Sequence, residues 1–276
     1  RDSQLAAYVA DGALFFTVNG DEYENVYPLW NNWHLIPGIT VFDPGSNVNP
    51  NSEWTSGNTT TGYMDAGWNA PSIASDAANG SLTYFFNRKE PGVSGNPLVF
   101  RKTWSFDASG VRVEVSGITR EGSGAGRVVT CVENAKAKAN AEVIASSDAY
   151  TLVRNGSVLY AIAAPKSAVS VKIEARKGDW GDNMPTYAGQ TATGKVLEIL
   201  VDHGASPANA TLSYSVRLDD GSNFWLVPAG ISASAWAHDA EPASVVPPIA
   251  YYGNAQRAAT ISKDSGPAKV WDGTMP

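Results

Sequence analysis

The chain has 276 residues, enough for one large domain or two smaller ones with a sizeable core. Only 17% of residues are charged, while Gly, Ser, Thr, Asn and aromatics are plentiful, a mixture that favours strands and turns over long amphipathic helices. The formal net charge of -7 leaves no footprint for nucleic acid, and an acidic ligand would need local Arg and Lys.

Cys131 is the only cysteine, which excludes a disulfide framework and a cysteine-rich metal site. No run approaches a membrane span and no signal peptide is evident. The opening Arg1-Asp-Ser-Gln4 is expected to be a processed or excised start. Four Asn-X-Ser/Thr sequons, at Asn58, Asn79, Asn155 and Asn209, are expected to be chance in so Asn- and Ser-rich a sequence.

In chain order, residues 5–18 read as two strands joined through Asp11-Gly12, a hairpin dipeptide. Residues 20–40 follow no simple period. Alternation would place Glu22 and Glu24 on one face with Val26, and helical spacing is stopped by Pro28 and Pro37. So stiff and aromatic a segment suits either a sugar-contacting loop or a buried corner between strands. Residues 43–62 form a polar loop, ending at a short strand around Tyr63 and Met64. Ser81–Asn87 is a strand bounded by Asn79-Gly80.

The strand signals then become regular. Leu98–Phe106 and Val111–Ile118 flank a tight turn at Asp107–Gly110, and Val111, Val113 and Val115 alternate with Arg112 and Glu114, which predicts one wet face. Val128–Asn134 is apolar enough to predict burial on both faces. Asn155-Gly156 is a second hairpin signal, between Ala149–Arg154 and Ser157–Ala164. Val169–Arg176, Lys195–His203 and Ala210–Leu218 complete the set, and frequent turns between short strands predict a large all-β sandwich. The sandwich is expected over residues 1–234. From Ala235 to Pro276 periodicity weakens, as in a linker or the start of a small C-terminal β module.

None of His34, His203 and His238 has the spacing of a helical zinc motif, and Asp202-His203-Gly204 reads as a turn. No cofactor is expected, though the Asp- and Asn-rich loops leave room for a structural calcium ion. No serine sits in a Gly-x-Ser-x-Gly elbow, and neither a P-loop nor a dinucleotide fingerprint is present. Asp21, Glu22 and Glu24 offer paired carboxylates or simply a solvated acidic turn. Tyr23, Tyr27, Trp30 and Trp33 offer rings to a sugar or to the core.

Glu22-Tyr-Glu-Asn25, Trp30 to Trp33 and Ile36-Pro-Gly-Ile-Thr40 together resemble the start of the central β domain in polysaccharide lyase family 8, the hyaluronate, chondroitin AC and xanthan lyases. Arg101–Phe106 is similar to the family's Lys-Ser-Trp-Phe strand. Val115–Ile118 with Val129–Asn134 resembles its Gly-x-Gly-Ile and Thr-x-x-Glu-Asn pair, and Val201–Gly204 its Asp-His-Gly strand. Asn254–Ala258 resembles the opening of its C-terminal domain. Asn31-Asn32 stands where the family usually has one residue.

The resemblance implies a large antiparallel β-supersandwich of the galactose-mutarotase-like type, without the α/α-toroid domain that carries the family's Tyr, His, Asn and Arg. It implies part of a lyase that cleaves uronic-acid polysaccharides by β-elimination and is inactive without that helical domain. The implied partners are an acidic polysaccharide and an N-terminal toroid domain on the same or a companion chain, with no nucleic acid and no membrane. The implied location is secreted or periplasmic. Glu22 and Asn25 take supporting catalytic roles, and Tyr23, Trp30, Trp33 and His34 are candidate substrate contacts. The other readings are a non-catalytic carbohydrate-binding module and a structural docking domain.

Overall fold

A computed structural model describes residues 12–30, 32–45, 72–76, 79–88, 98–107, 110–122, 125–182 and 185–219, together with three short strands at 249–251, 258–260 and 269–270. The expected polar loop beyond residue 45, the strand at Tyr63 and Met64, the Asp11 hairpin position and the boundary at 234 lie outside the described residues.

The described strands are β1 (Leu14–Phe15), β2 (Thr40–Asp43), β3 (Ser72–Ser75), β4 (Gly80–Arg88), β5 (Leu98–Asp107), β6 (Gly110–Arg120), β7 (Arg127–Lys136) and β8 (Glu142–Ser146). They continue with β9 (Thr151–Asn155), β10 (Val158–Ala163), β11 (Val169–Asp179), β12 (Thr191–Asp202), β13 (Ala210–Leu218), β14 (Ile249–Tyr251), β15 (Ala258–Thr260) and β16 (Lys269–Val270). Among the described residues the helical pieces are single 3-10 turns, at Tyr27–Leu29, Trp180–Asp182 and Pro185–Tyr187.

Every pairing among the described strands is antiparallel. An eight-stranded sheet runs β3-β4-β5-β6-β13-β10-β9-β8, and a four-stranded sheet runs β11-β12-β7-β2. The two expected hairpins are present, β5 to β6 through Asp107–Gly110 and β9 to β10 through Asn155-Gly156. A further sheet runs β1-β14-β15-β16, with β14 paired to β1. Strands β2, β3 and β8 have no counterpart in the sequence reading, because each is short and lacks a clean apolar alternation.

The main core lies between the two large sheets. Phe100, Trp104, Val113, Val115, Tyr160 and Tyr214 come from one, and Val128, Val132, Leu197, Ile199 and Val201 from the other. Strand β7 is buried along nearly its whole length. Its other face, with Val129 and Cys131, joins Val196 and Leu200 in a second core roofed by Val26, Leu29, Trp30, Leu35, Ile36 and Ile39. The irregular segment after residue 20 is therefore a third layer laid over the outside of the smaller sheet.

Two glycines set how closely that layer approaches. Gly38 has φ +88, and a side chain there would collide with Leu14. Its N–H donates to the Cys131 carbonyl at 2.7 Å, while the Leu14 N–H donates to the Pro37 carbonyl at 2.8 Å. Gly178 in β11 lies so close under the 3-10 turn that a Cβ would overlap the Pro28 carbonyl. Lys102 fastens the layer from the opposite sheet. It is fully buried, and its ammonium donates to the carbonyls of Gly12 and Gly38 and sits 5.2 Å from the Trp104 ring centre. Hydrogen bonding of this kind is what makes a buried cation tolerable.

Gly38→Ala is expected to destabilise the fold by about 2–4 kcal/mol, since it adds left-handed strain to an overpacked contact. Equilibrium denaturation checks this, and a loss as small as that of a surface Gly→Ala would remove the close-approach argument.

Candidate functional site

The residues singled out in the sequence do fall together, at the start of the roofing layer, but most of them face inward. Glu22 is 4% exposed, and its carboxylate accepts the backbone N–H groups of Val18 at 3.1 Å, Asn19 at 2.8 Å and Gly20 at 2.9 Å. It folds residues 18–22 into a tight loop. Its own carbonyl accepts the Lys136 N–H at 2.8 Å, which ties the loop to the end of β7. Asn25 is exposed and adopts φ 55, the left-handed conformation that Asn tolerates better than most residues.

Trp30, Trp33 and His34 are 5%, 2% and 1% exposed, so none presents a ring face to solvent. The Trp30 indole donates to the Asn134 carbonyl at 3.0 Å. His34 lies 3.4 Å from Asp43. Burial pushes the Asp43 carboxyl up, but His34, the Gly45 N–H and Arg127 outweigh it and hold the pKa below the ordinary value. Packing explains the difference from the sugar-contact expectation: the outer face of β7 and β12 is apolar and Trp30 covers it, while Trp33 packs on Tyr27 and His34 turns to Asp43.

The aromatics that remain partly open are different ones. Tyr27 is edge-on to Trp33 at 4.1 Å and to Trp30 at 5.0 Å, and it lies 6.0 Å from Trp180. Trp180 and the 45%-exposed Tyr187 belong to the tip joining β11 to β12. Asp179 holds that tip by accepting the N–H groups of Gly181 and Gly189. Sequence reading missed Trp180 and Tyr187, whose only signal is two aromatics in a Gly- and Asp-rich turn.

Tyr23 points toward a buried carboxylate, Glu133, which the sequence reading placed in a strand and in the Thr-x-x-Glu-Asn resemblance without giving it a role. Its hydroxyl accepts the Phe16 N–H at 3.1 Å and donates to Glu133, 3.1 Å from both carboxylate oxygens. Tyr160 donates to the same carboxylate at 2.7 Å, and the Asn134 N–H donates at 2.9 Å. Burial pushes the Glu133 carboxyl up to about 7 against these three donors, and Glu22 adds to the rise. Burial and the Glu133 charge hold both phenols well above the ordinary tyrosine value, so they stay protonated and donate. Beside the cluster is a cavity of about 120 Å³, lined among others by Glu22, Glu133, Lys138, Asn155 and Tyr160.

Outside the cluster runs a charged rim. Lys138 pairs with Asp21 at 2.6 Å, and Lys136 lies 3.6 Å from Asp21 and 3.7 Å from Glu24. The Asp202-His203-Gly204 turn is as expected: Asp202 accepts the Gly204 N–H and bonds Arg127, while His203 bonds the Thr130 hydroxyl at 2.8 Å. Burial lowers the His203 pKa to about 4. Asn155 is spent within the fold, accepting from the Lys138 N–H and donating to the Lys136 carbonyl. Among the described residues no three His, Cys, Asp or Glu side chains gather closely enough to hold a metal ion. No described helix is long and apolar enough to cross a membrane.

The family description "polysaccharide lyase family 8, super-sandwich domain" matches residues 2–220. The chain belongs to polysaccharide lyase family 8. A chondroitinase-AC of Pedobacter heparinus is 24% identical over 231 residues, covering 78% of this chain and 30% of the relative. The fold matches a chondroitin AC lyase of Streptomyces coelicolor A3, solved with chondroitin sulphate, at TM-score 0.56 and 19% identity, over 88% of this chain and 30% of that one. A chondroitinase AC lyase known from oligosaccharide complexes gives TM-score 0.58 and 18% identity, over 95% and 37%. The chain thus spans about a third of the length of these proteins, and its architecture is the antiparallel β-supersandwich of the family.

Two outcomes follow for the site. Glu22→Ala is expected to cost about 2–3 kcal/mol, since three loop N–H groups lose a charged acceptor, which urea denaturation measures. The second outcome is a pH dependence. With a raised folded pKa, Glu133 favours the fold most below pH 4.5 and loses that contribution as pH rises toward 7. His203 works oppositely, and its contribution falls as pH drops from 6.5 toward 4. The stability of the wild type relative to Glu133→Gln should therefore grow by on the order of 3 kcal/mol from pH 8 to pH 5. A flat difference would show that Glu133 is not buried as described.

Proposed function

We propose that this chain is the β-sandwich portion of a polysaccharide lyase that cleaves uronic-acid-containing polymers by β-elimination and is inactive without a helical domain. The observation that carries the reading is the family match across residues 2–220 in a chain that spans about a third of its relatives. In β-elimination a base removes the proton α to the uronate carboxylate, and the 4-linked oxygen leaves with a proton from an acid. The carboxylate charge must be neutralised for that proton to leave at a useful rate.

The chain's own acids support a base located elsewhere. Glu22 has both oxygens occupied by backbone N–H groups, and Glu133 is buried beneath two tyrosines. A carboxylate has about four acceptor sites, so Glu22 keeps capacity for one further donor. Its proposed role, shared with the exposed Asn25, is to orient cationic groups of the helical domain across the cleft. Substrates of this class are large acidic polymers, for which we place the enzyme outside the cytoplasm, secreted or periplasmic.

Incubated alone with hyaluronan, chondroitin or xanthan, the chain is expected to form no ultraviolet-absorbing unsaturated product. Clear turnover would overturn the assignment of the base to another domain. The exposure of Tyr27, Trp180 and Tyr187 favours a second reading, a carbohydrate-binding module. Affinity for one of these polymers that disappears in Tyr187→Ala and survives Glu22→Ala would support that reading over the first.

A further inference from the structure

The buried Glu133 is explained by neither core packing nor the proposed chemistry, and the backbone goes out of its way to place it. In the β7–β12 ladder Cys131 pairs with Leu200 and Glu133 with Ile199, so Val132 is an extra residue on β7. Such a bulge reverses the alternation of the strand that follows it. Val129 and Cys131 face the roofing layer before the bulge. After it, Glu133 is paired with the inward-facing Ile199 and meets Tyr160 of the main core. Without the extra residue, strict alternation would send Glu133 outward alongside Cys131. A buried strand inserts one residue here and turns an acid inward.

We propose that Glu133 is a positioning residue for the loop that carries Glu22. The inference rests on the proposed role of Glu22 and names what holds it in place. The path is short and continuous. Glu133 accepts from Tyr23, and the Tyr23 hydroxyl accepts from Phe16, so one phenol closes residues 16–23 into a ring of contacts. Inside that ring Glu22 gathers the N–H groups of residues 18–20. The Phe15 ring, edge-on to Tyr23 at 5.0 Å, restricts the phenol to this direction.

The charged and titratable groups around Glu133 are Tyr23 and Glu22 from the loop, Cys131 on its own strand, Tyr160 and Tyr214 from the opposite sheet, and Lys138 on the wall of the cavity. Of these, Tyr23 is the group that joins Glu133 to the backbone of the loop. Tyr160 anchors the carboxylate from the other side. The cavity lined by Glu22 and Glu133 leaves the loop space on that side, where it is held by hydrogen bonds, those of Tyr23 and of the Glu22 carbonyl, more than by close packing.

Backbone amide exchange on the chain itself tests this, without a substrate. At pH 8.5, where the Glu133 carboxylate is charged, Tyr23→Phe should speed exchange at Val18, Asn19 and Gly20 by about tenfold, the effect of one charge-assisted hydrogen bond on local opening. Tyr160→Phe, which leaves the Tyr23 link intact, should change the same amides by less than about twofold. In a Glu133→Gln background the effect of Tyr23→Phe should shrink to roughly threefold, because a neutral acceptor holds a hydroxyl about half as strongly. An equal effect in both backgrounds would mean that Tyr23 acts only through Phe16, and the proposal fails.

Should Glu133→Gln not fold, the two tyrosine variants decide. Equal loosening by both, or none by Tyr23→Phe, overturns the proposal, and loosening by Tyr23→Phe alone supports it. Failure of the polymer assays leaves this result standing, because no part of it reads turnover.

Discussion

Strand β7 has no wet face, and much of the described molecule follows from that constraint. One side of it belongs to the core between the two large sheets, so its other side must be covered by something other than a sheet. Residues 20–41 supply the cover. They are irregular because they must follow the contour of an existing surface rather than extend a ladder. Gly38 lets the backbone come within hydrogen-bonding distance of β7, and the buried Lys102 fastens the same point from the opposite sheet. Thr40 continues the attachment, hydroxyl to hydroxyl, onto Thr130, which also bonds His203. The Ile-Pro-Gly-x-Thr pattern is thus a docking device for a third layer.

The polar groups around the loop are buried at a cost to stability. A core of this size has apolar residues to spare, yet it holds an acid between two phenols with three donors aimed at it. Burying such a group is costly unless its hydrogen bonds are complete, and partly satisfied networks are worse than none. Here Glu133, Tyr23 and Tyr160 all have partners, and the network ends on a loop rather than in the middle of a sheet. The outer rim of Asp21, Glu24, Lys136 and Lys138 is exposed to water, where pairs of this kind contribute little to stability. The inner acid is therefore the one that fixes geometry.

Much of the sandwich could be read from periodicity alone. The Asp107–Gly110 and Asn155-Gly156 turns, the wet face of Val111–Val115 and the double burial of β7 each follow from a local rule about hairpins or alternation. The short strands β3 and β8 could not be read that way, since edge pairing leaves little apolar pattern in the sequence. The site was legible as a place but not as an orientation. Nothing local distinguishes a tryptophan that roofs a sheet from one that lines a cleft, and for Trp30 the difference is set by residues a hundred positions away. Glu133 was hidden for a related reason. Its inward direction depends on one extra residue, and a bulge becomes visible only once the partner strand is known.

The third layer also constrains the order of events when the chain folds. Trp30 finds its hydrogen-bond acceptor on residue 134 and its apolar neighbours on residues 129–131 and 196–200. The surface it covers does not exist until β7 and β12 have paired. The segment precedes those strands in the chain yet docks after them, once a long loop has closed, which is the slow kind of contact to form. Until then three aromatic rings and a run of isoleucine and leucine stand in water. During that interval the chain exposes its greatest hazard of self-association, in the same residues that later give the mature fold its roof.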